Sequence, residues 1–403
     1  MNKRQKLVQQ QFLNNEEAVI DSLKQVYSQS YNDITKKVAD LDESIAYLQE
    51  VYDGIEPDGL TGAALDYFES RGQKISPQEA EETIKSMLQS KVYQKNYQEA
   101  LQKQVDSILD KMHTNEFKTV SDYLNTCYED GFIGAMFDLQ GQGIPLCFPL
   151  DQEAMVRAVQ LDSKISQGLY SRMGEDVAML KKHITSEISR GIANGMFYEK
   201  IAQQIGFKMM GTYDTPGGAY AKALRIARTE GHRIQVQGTM DACFKAKEKG
   251  ADVVKQWDST LDDSTRESHQ KVDGEIRELD EEFSNGLMFP GDPSGGASEV
   301  VNCRCALLER ARWAVGGSFT KMNNFTKEIE FFDSPEDYND FKKAFFSKEN
   351  RQFMNYHTHL EEKYKTKDFR TLLDKMDTKE YNHYSELAEK SPVLNSKTPK
   401  NDS

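Results

Sequence analysis

Residues Trp257–Ile276 read WDSTLDDSTRESHQKVDGEI, and this stretch separates two kinds of sequence. Before it, apolar residues recur at the three- and four-residue spacings of amphipathic helices. After it, short segments alternate with turn dipeptides, and the helical periodicity is lost. The pattern predicts a mostly α-helical α+β protein. We expect an elongated helical N-terminal region, then a small α+β module, then a charged and partly disordered C-terminal tail.

The chain of 403 residues is acidic and hydrophilic: 29% of its residues are charged, 38% are hydrophobic, and the net charge is -14. This composition suits long helices with one exposed face. A negative field repels phosphate, so any contact with DNA has to be local or made with partners present. No run approaches the roughly 18 apolar residues of a membrane span, and the N-terminus lacks the apolar stretch of a secretory signal. We therefore expect synthesis and folding in the cytosol.

Breaks in the pattern divide the chain into five regions. The segments DGIEPDGLTG (53–62), GQGIPLCFPL (141–150) and GTYDTPGGAY (211–220) carry the glycine and proline residues of turns and loops. The first region has a narrow apolar stripe, which is typical of a helix that packs on a partner or on a neighbouring helix. We expect, in order, a helical arm, a helical region, a second helical region, the α+β module, and peripheral helices with a disordered tail: 1–55, 56–150, 151–214, 215–310 and 311–403.

A short helix in the 257–276 stretch carries an imidazole and a carboxylate. Ser264 and Glu267 have the spacing of a capping box, and Gly274 suits the helix end. His269 and Asp273 are four residues apart, and in a helix they share one face. A carboxylate beside an imidazole fixes its tautomer, as a metal ligand or a general base requires. The alternative is a surface histidine beside a turn aspartate.

Two of the five cysteines lie in Val300–Cys305, which reads VVNCRC. If this segment is a strand, Cys303 and Cys305 point to one face with their Cα atoms about 6.5 Å apart, near the upper limit for a disulfide. In a reducing compartment, an odd number of cysteines also argues against a disulfide framework. With His269, the two thiols form a partial set of zinc ligands, and Asp273 or water is the candidate fourth ligand. Buried free thiols are the alternative.

Two further motifs could in principle bind phosphate. ARTEGHRI (227–234) places Arg228, His232 and Arg233 on a helix, with Glu230 close by. Such a set either binds a phosphate or an NAD-like ligand or forms an intramolecular ion-pair network. PGDPSGGAS (290–298) is rich in glycine but lacks the Gly-Lys-Ser/Thr ending of a phosphate loop. We interpret it as a turn-forming connection.

Taken together and in their order, ARTEGHRIQVQGTMDA, WDSTLDDSTRESHQKVDGEI and FPGDPSGGASEVVNCRC resemble the head-morphogenesis module of phage minor head proteins, the Mu F-like family. The resemblance covers about 221–310. The helical stretch at 143–206 is similar to the region that precedes this module in such proteins.

The resemblance implies a minor capsid protein of a tailed bacteriophage that associates with the portal and acts in procapsid assembly and in DNA packaging or ejection. The implied partners are the portal, the scaffold and the major capsid protein, with packaged DNA as a further candidate and no membrane. The implied location is the inside of the capsid near the portal, after assembly in the host cytoplasm.

The resemblance also bears on zinc. Many family members carry a second cysteine pair just after the segment that matches TLDDSTR, whereas this chain has ESHQKVDG there. His269 is the residue that would take the place of one thiol, so zinc is the candidate cofactor. We assign no catalytic residue. The alternative is an enzyme: a metal-dependent nuclease using His269, Asp273 and the cysteines, or an ADP-ribosyltransferase-like protein using Arg228 and a later glutamate.

Overall fold

The computed structural model describes residues 2–53, 60–80, 83, 91–144, 166–193, 198–212 and 217–396. These residues are mostly helical, and their strands form two small antiparallel sheets. The predicted fold class, a mostly helical α+β protein, is therefore confirmed.

Long helices dominate the part of the chain that precedes the first strand. Helix α1 ends at Asp53, where the DGIEPDGLTG segment predicts a break. The predicted extended connection at 145–150 lies outside the described residues. The bounds are Lys3–Asp53 for α1, Leu60–Glu69 for α2, Lys91–Gly141 for α3, Ser166–Ala193 for α4, Tyr198–Met210 for α5 and Gly218–Glu248 for α6.

The chain forms two compact units. The first comprises Met1–Asn15, Leu124–Ala158 and Thr229–Ser403, and the second comprises Glu16–Tyr123 and Val159–Arg228. Helices α1, α3 and α6 each contribute residues to both units. The five regions defined along the sequence stay a prediction about domain organisation.

The core of the second unit consists of apolar side chains on one face of each helix. On α1, Val19, Leu23 and Tyr27 are all buried and follow one another at intervals of four residues. This spacing places them on one side of the helix, so the stripe predicted for the arm is covered by other helices of the unit. The other helices of this unit contribute Leu109, Ile184 and Ile205, which are fully buried.

The first unit contains the α+β module. Its sheet has the strand order β2-β1-β3, with β1 at Val253–Asp258, β2 at Ile276–Arg277 and β3 at Ala306–Ala311. Helix α7 (Glu267–Val272) lies between β1 and β2 in sequence, and the one-turn helix α8 (Ala297–Val300) precedes β3. Strand β1 pairs antiparallel with both neighbours. Because side chains alternate along a strand, one face of β1 sends Val253 and Trp257 into the module core.

Residues 311–396 hold more structure than the one or two helices expected from the sequence. Strands β4 (Phe319–Asn323) and β5 (Glu328–Phe332) form a hairpin. The helices that follow pack around a cluster of buried aromatic and aliphatic side chains. Their bounds are Pro335–Phe345 for α9, Lys348–Tyr364 for α10, Phe369–Lys375 for α11, Thr378–Lys390 for α12 and Pro392–Ser396 for α13. The last residues of the predicted disordered tail, 397–403, lie outside the described residues.

Candidate metal centre

Helix α7 and the segment before β3 bring one imidazole and two sulfur atoms together. The Nδ1 atom of His269 lies 3.2 Å from the Sγ atom of Cys305 and 3.8 Å from the Sγ atom of Cys303. All three side chains are buried, and their ligand atoms lie within 4.8 Å of one another. Zinc bond lengths of about 2.3 Å to sulfur and 2.0 Å to nitrogen, at tetrahedral angles, separate ligand atoms by about 3.5 Å. The donor types and their spacing therefore fit a zinc ion with three protein ligands.

Trp257 near the end of β1 and Ser259, just after this strand, pack beneath the imidazole of His269. The ring of Trp257 packs edge-on against the ring of His269, with centroids 5.2 Å apart. Its Nε1 atom donates to Ser259 Oγ at 3.0 Å, and that hydroxyl donates to the backbone carbonyl of His269 at 2.7 Å. The position of the imidazole is thus fixed in two ways: Trp257 packs against the ring, and Ser259 holds the backbone of His269.

The two cysteines do not lie in a strand, contrary to the prediction for VVNCRC. Helix α8 ends at Val300, and β3 begins only at Ala306. Asn302 adopts a left-handed conformation with φ of 53°, which turns the chain and cannot occur in a regular strand. Both sulfur atoms still face the imidazole, because this turn, rather than strand alternation, orients them.

Side chains from other elements hold the backbone of the cysteine segment. Thr260 Oγ1 donates to the carbonyl of Arg304 at 2.9 Å, and the Nε2 atom of His232 on α6 lies 2.6 Å from the carbonyl of Cys305. The guanidinium of Arg304 forms a two-pronged contact with the carboxylate of Asp262. These contacts hold the backbone of the cysteine segment in the conformation that turns both thiols toward His269.

The other ring nitrogen of His269 faces a carboxylate that the sequence reasoning missed. The Oε2 atom of Glu299 lies 3.0 Å from His269 Nε2, an ion-pair distance without the alignment of a hydrogen bond. The same oxygen accepts a hydrogen bond from Ser268 Oγ at 2.7 Å. A carboxylate on the far nitrogen is a usual companion of a metal-bound histidine. The position of Glu299 four residues before Cys303 is the only sequence signal for it.

Asp273, the predicted fourth ligand or tautomer-fixing partner, is not part of the cluster. Its carboxylate accepts from Ser259 N at 2.7 Å, from Lys321 Nζ at 2.8 Å and from the hydroxyl of Tyr338. Helix α7 ends at Val272, and Asp273 has extended backbone angles. The four-residue helical spacing from His269 therefore does not apply to it. The predicted capping box is also absent, since α7 begins at Glu267 after Arg266 with no side-chain cap.

The two thiols differ in acidity. A hydrogen bond from the Cys305 thiol lowers the pKa of Cys303, whereas that bond, together with burial, raises the pKa of Cys305 well above its ordinary value. Cys303 is therefore the more acidic of the two thiols, and Cys305 is the hydrogen-bond donor of the pair. Metal binding would release the protons of both thiols, because cysteine binds metals as the thiolate.

The other two motifs are structural in their observed settings. Glu230 and Arg233 form a buried ion pair at 3.0 Å, and Arg228 pairs with Glu16 at 3.1 Å. PGDPSGGAS forms turns in which the Asp292 carboxylate accepts from the backbone N–H groups of Met288 and Ser294. The ion-pair and turn interpretations of these segments are therefore confirmed.

Comparisons with known proteins identify relatives of this chain. The family model described as Phage Mu protein F like protein matches residues 182–308. The minor head protein GP7 of Bacillus phage SPP1 is 30% identical over 218 residues, which cover 52% of this chain and 67% of that protein. The NAD(+)--arginine ADP-ribosyltransferase EFV of Enterococcus faecalis (strain ATCC 700802 / V583) is 32% identical over 244 residues, which cover 58% of this chain but only 47% of the relative. This chain thus spans about half the length of the E. faecalis protein.

No solved structure matches the chain. Among the described residues, none of the helices combines the length and the apolar character needed to cross a lipid bilayer.

Proposed function

The chain belongs to the Phage Mu protein F like family, and we propose that it acts as a minor head protein that associates with the portal during assembly of a tailed-phage head. The observation that carries this proposal is the 30% identity to the SPP1 minor head protein over 67% of that protein's length. The family match at 182–308 covers most of the α+β module together with α6, so the relationship includes the candidate metal centre.

The physical character of the chain supports a role in assembly. A net charge of -14 keeps such a protein from binding DNA over its whole surface, as a soluble subunit in a cell full of nucleic acid requires. We infer that the portal, the scaffold and the major capsid protein are its partners, and that it acts in DNA packaging or ejection.

Deletion of the gene from the phage or prophage that encodes this chain tests the proposal. We expect phage DNA replication to be unchanged and the yield of infectious particles to fall, with rescue by a plasmid copy. An unchanged yield, or a loss of DNA replication itself, would contradict a role in the head.

We also propose that His269, Cys303 and Cys305 hold one zinc ion, with water as the fourth ligand. The proposal is supported by the spacing of the three donor atoms and by the carboxylate of Glu299 on the far side of the imidazole. A zinc ion here would link α7 to the segment before β3, and its binding would stabilise the folded module.

Cobalt binding tests the zinc proposal directly. Titration of the metal-free protein with Co²⁺ should produce the strong absorption of thiolate-to-cobalt charge transfer, saturating at one equivalent. The Cys303→Ser/Cys305→Ser variant should lack this absorption, whereas Cys127→Ala, which removes a buried thiol elsewhere, should keep it. The same absorption in both variants would place the metal at other residues.

The enzymatic alternatives receive weaker support. His269, Cys303 and Cys305 are each 5% exposed or less, so they do not reach a DNA phosphate in this conformation. The activity named for the E. faecalis relative belongs to a protein of which this chain covers less than half. Incubation of the purified chain with labelled NAD⁺ and arginine-containing protein tests that activity. Transfer of the label from NAD⁺ to the protein substrate by the wild type would support the transferase alternative.

A further inference from the structure

A groove with a strong positive charge lies beside helix α7, between it and helices α9 and α10. Its volume is about 580 Å³. Among its lining residues there is one carboxylate, Glu267. Five basic side chains line it: Lys271, Lys342, Lys343, Lys348 and Arg351. We call this surface the α7–α10 groove.

The charge of the groove is opposite to that of the chain. The sequence has 65 acidic residues and 51 lysine and arginine residues, so a random surface patch of this size is expected to be neutral or negative. A local cluster of one sign concentrates the field within a concave surface. The α7–α10 groove is therefore a site at which an otherwise acidic protein can attract an anion.

Two of the lysines form only weak, solvent-exposed ion pairs with acidic neighbours. Lys271 lies 3.1 Å from Glu267, and Lys343 lies 3.1 Å from Asp340. All four side chains of these pairs are more than 70% exposed. Pairs this exposed contribute little and are screened by salt, so a polyanion can compete for both ammonium groups. Lys348 is exposed as well.

The walls of the groove are fixed by contacts to the module. Arg351 on α10 donates through Nη2 to the side-chain carbonyl of Gln270 on α7. Lys342 on α9 donates through Nζ to the backbone carbonyl of Asp273, at the end of α7. Burial lowers the pKa of Lys342, and it reaches less far into solvent than its neighbours. Lys342 and Arg351 thus position α9 and α10 against α7. The exposed lysines, Lys271, Lys343 and Lys348, remain accessible to a ligand.

We propose that the α7–α10 groove binds the phosphate backbone of duplex DNA without reading its sequence. Only one part of this inference rests on the proposed head function, namely that the DNA in question is the packaged phage genome. Duplex DNA carries one negative charge per about 1.7 Å of its axis, a higher linear density than an acidic protein surface offers. The groove also presents Gln352 and Asn355, and lysine, arginine and amide side chains are the usual partners of phosphate oxygens.

The test measures binding of a fluorescently labelled DNA duplex to the purified full chain by anisotropy over a range of salt concentrations. Each phosphate contact is expected to weaken binding about 3.5-fold between 50 and 200 mM salt. In the Lys343→Glu/Lys348→Glu variant, affinity at low salt should fall about tenfold or more, and the salt dependence should become shallower. The Lys343→Arg/Lys348→Arg variant should bind as the wild type does.

The matched control is Lys367→Glu/Lys379→Glu, which makes the same change in net charge at exposed lysines outside the groove. It should retain affinity within about twofold. Equal losses in both double variants would overturn the proposal, because they would assign binding to the overall field. Absence of DNA binding by the wild type would overturn it too, as would competition by polyglutamate at equal charge, which would indicate an acidic protein partner. None of these outcomes affects the presence of the chain in virions, which tests the head function separately.

Discussion

The two compact units differ in what they bury. In the second unit, the core is made of aliphatic and aromatic side chains at helical spacing, such as Leu23 and Ile34 on α1. The first unit also buries charged and polar groups with specific partners, among them Lys255, His269 and Lys321. Apolar contacts are non-directional and tolerate exchange, whereas a buried polar group depends on one particular partner. The first unit should therefore be the more sensitive to single changes that remove a partner.

The largest expected difference between the units concerns their ion pairs. In the first unit, Lys321 Nζ lies 2.8 Å from both Asp258 and Asp273, and its side chain is 6% exposed. Lys321→Met leaves two buried carboxylates without their cation and should cost about 3–5 kcal/mol. In the second unit, Lys181 pairs with Asp110, whose side chain is 69% exposed, and Lys181→Met should cost less than about 1 kcal/mol. Hydrogen exchange of each unit measures the loss of stability in both variants. Equal losses for Lys321→Met and Lys181→Met would contradict the proposed difference between the units.

The two tryptophans provide a second comparison, within the first unit. Trp257 is fully buried and packs edge-on against His269 and Phe283. Trp257→Ala should cost about 3–5 kcal/mol, because it leaves a cavity beside His269 in the module core. Trp313 is 73% exposed, so Trp313→Ala should change stability by no more than about 0.5 kcal/mol. Denaturation followed by circular dichroism checks both values, and a small effect of Trp257→Ala would contradict its place in the core.

Removal of the proposed zinc ion should affect only the first unit. A ligand at 100 times its dissociation constant stabilises the folded state by about 2.7 kcal/mol. Addition of a chelator should therefore lower hydrogen-exchange protection across the module and leave the second unit unchanged. The Cys303→Ser/Cys305→Ser variant should show no response to chelator. Loss of protection in the second unit as well would mean that the effect does not arise at this site.

A buried carboxylate in the second unit makes the stability of that unit depend on pH. Glu116 is 2% exposed, its Oε2 atom has no hydrogen-bond partner, and burial raises its pKa to about 8. Tyr27 and Asp176 face it. Because the folded-state pKa exceeds the unfolded one, the folded form binds more protons between about pH 4.5 and 8, and stability falls as pH rises through that window.

Glu116→Gln should therefore flatten this pH dependence and stabilise the second unit above pH 8, by roughly 1–3 kcal/mol. Denaturation at several pH values measures the effect. Glu17→Gln is a suitable control because Glu17 is exposed in the second unit. An unchanged pH profile in Glu116→Gln would show that another group titrates.

The sequence predicts those features that depend on nearby residues. The end of α1 at Asp53 and the end of α6 at Glu248, just before Gly250, follow from turn residues and helical periodicity. Gly250 has φ of 89°, a conformation that favours glycine at a helix end. The sequence also predicts the approach of His269 to both cysteines, because two thiols and an imidazole form a partial set of zinc ligands.

The features that the sequence does not predict depend on residues far along the chain. Asp273 turns away from His269 because its carboxylate bonds to Lys321 and Tyr338, which are 48 and 65 residues further on. The turn at Asn302 replaces a strand because side chains from distant segments hold the backbone of the cysteine segment. Periodicity carries no information about such partners. The position of Asp273 is therefore visible only in the folded chain.

The most direct test of the proposed head function is quantitative mass spectrometry of gradient-purified virions and procapsids from a phage that encodes this chain. We predict peptides from both compact units in the particles, in amounts far below those of the major capsid protein. Particles that are complete, filled with DNA and infectious but contain no peptide of this chain would contradict the account.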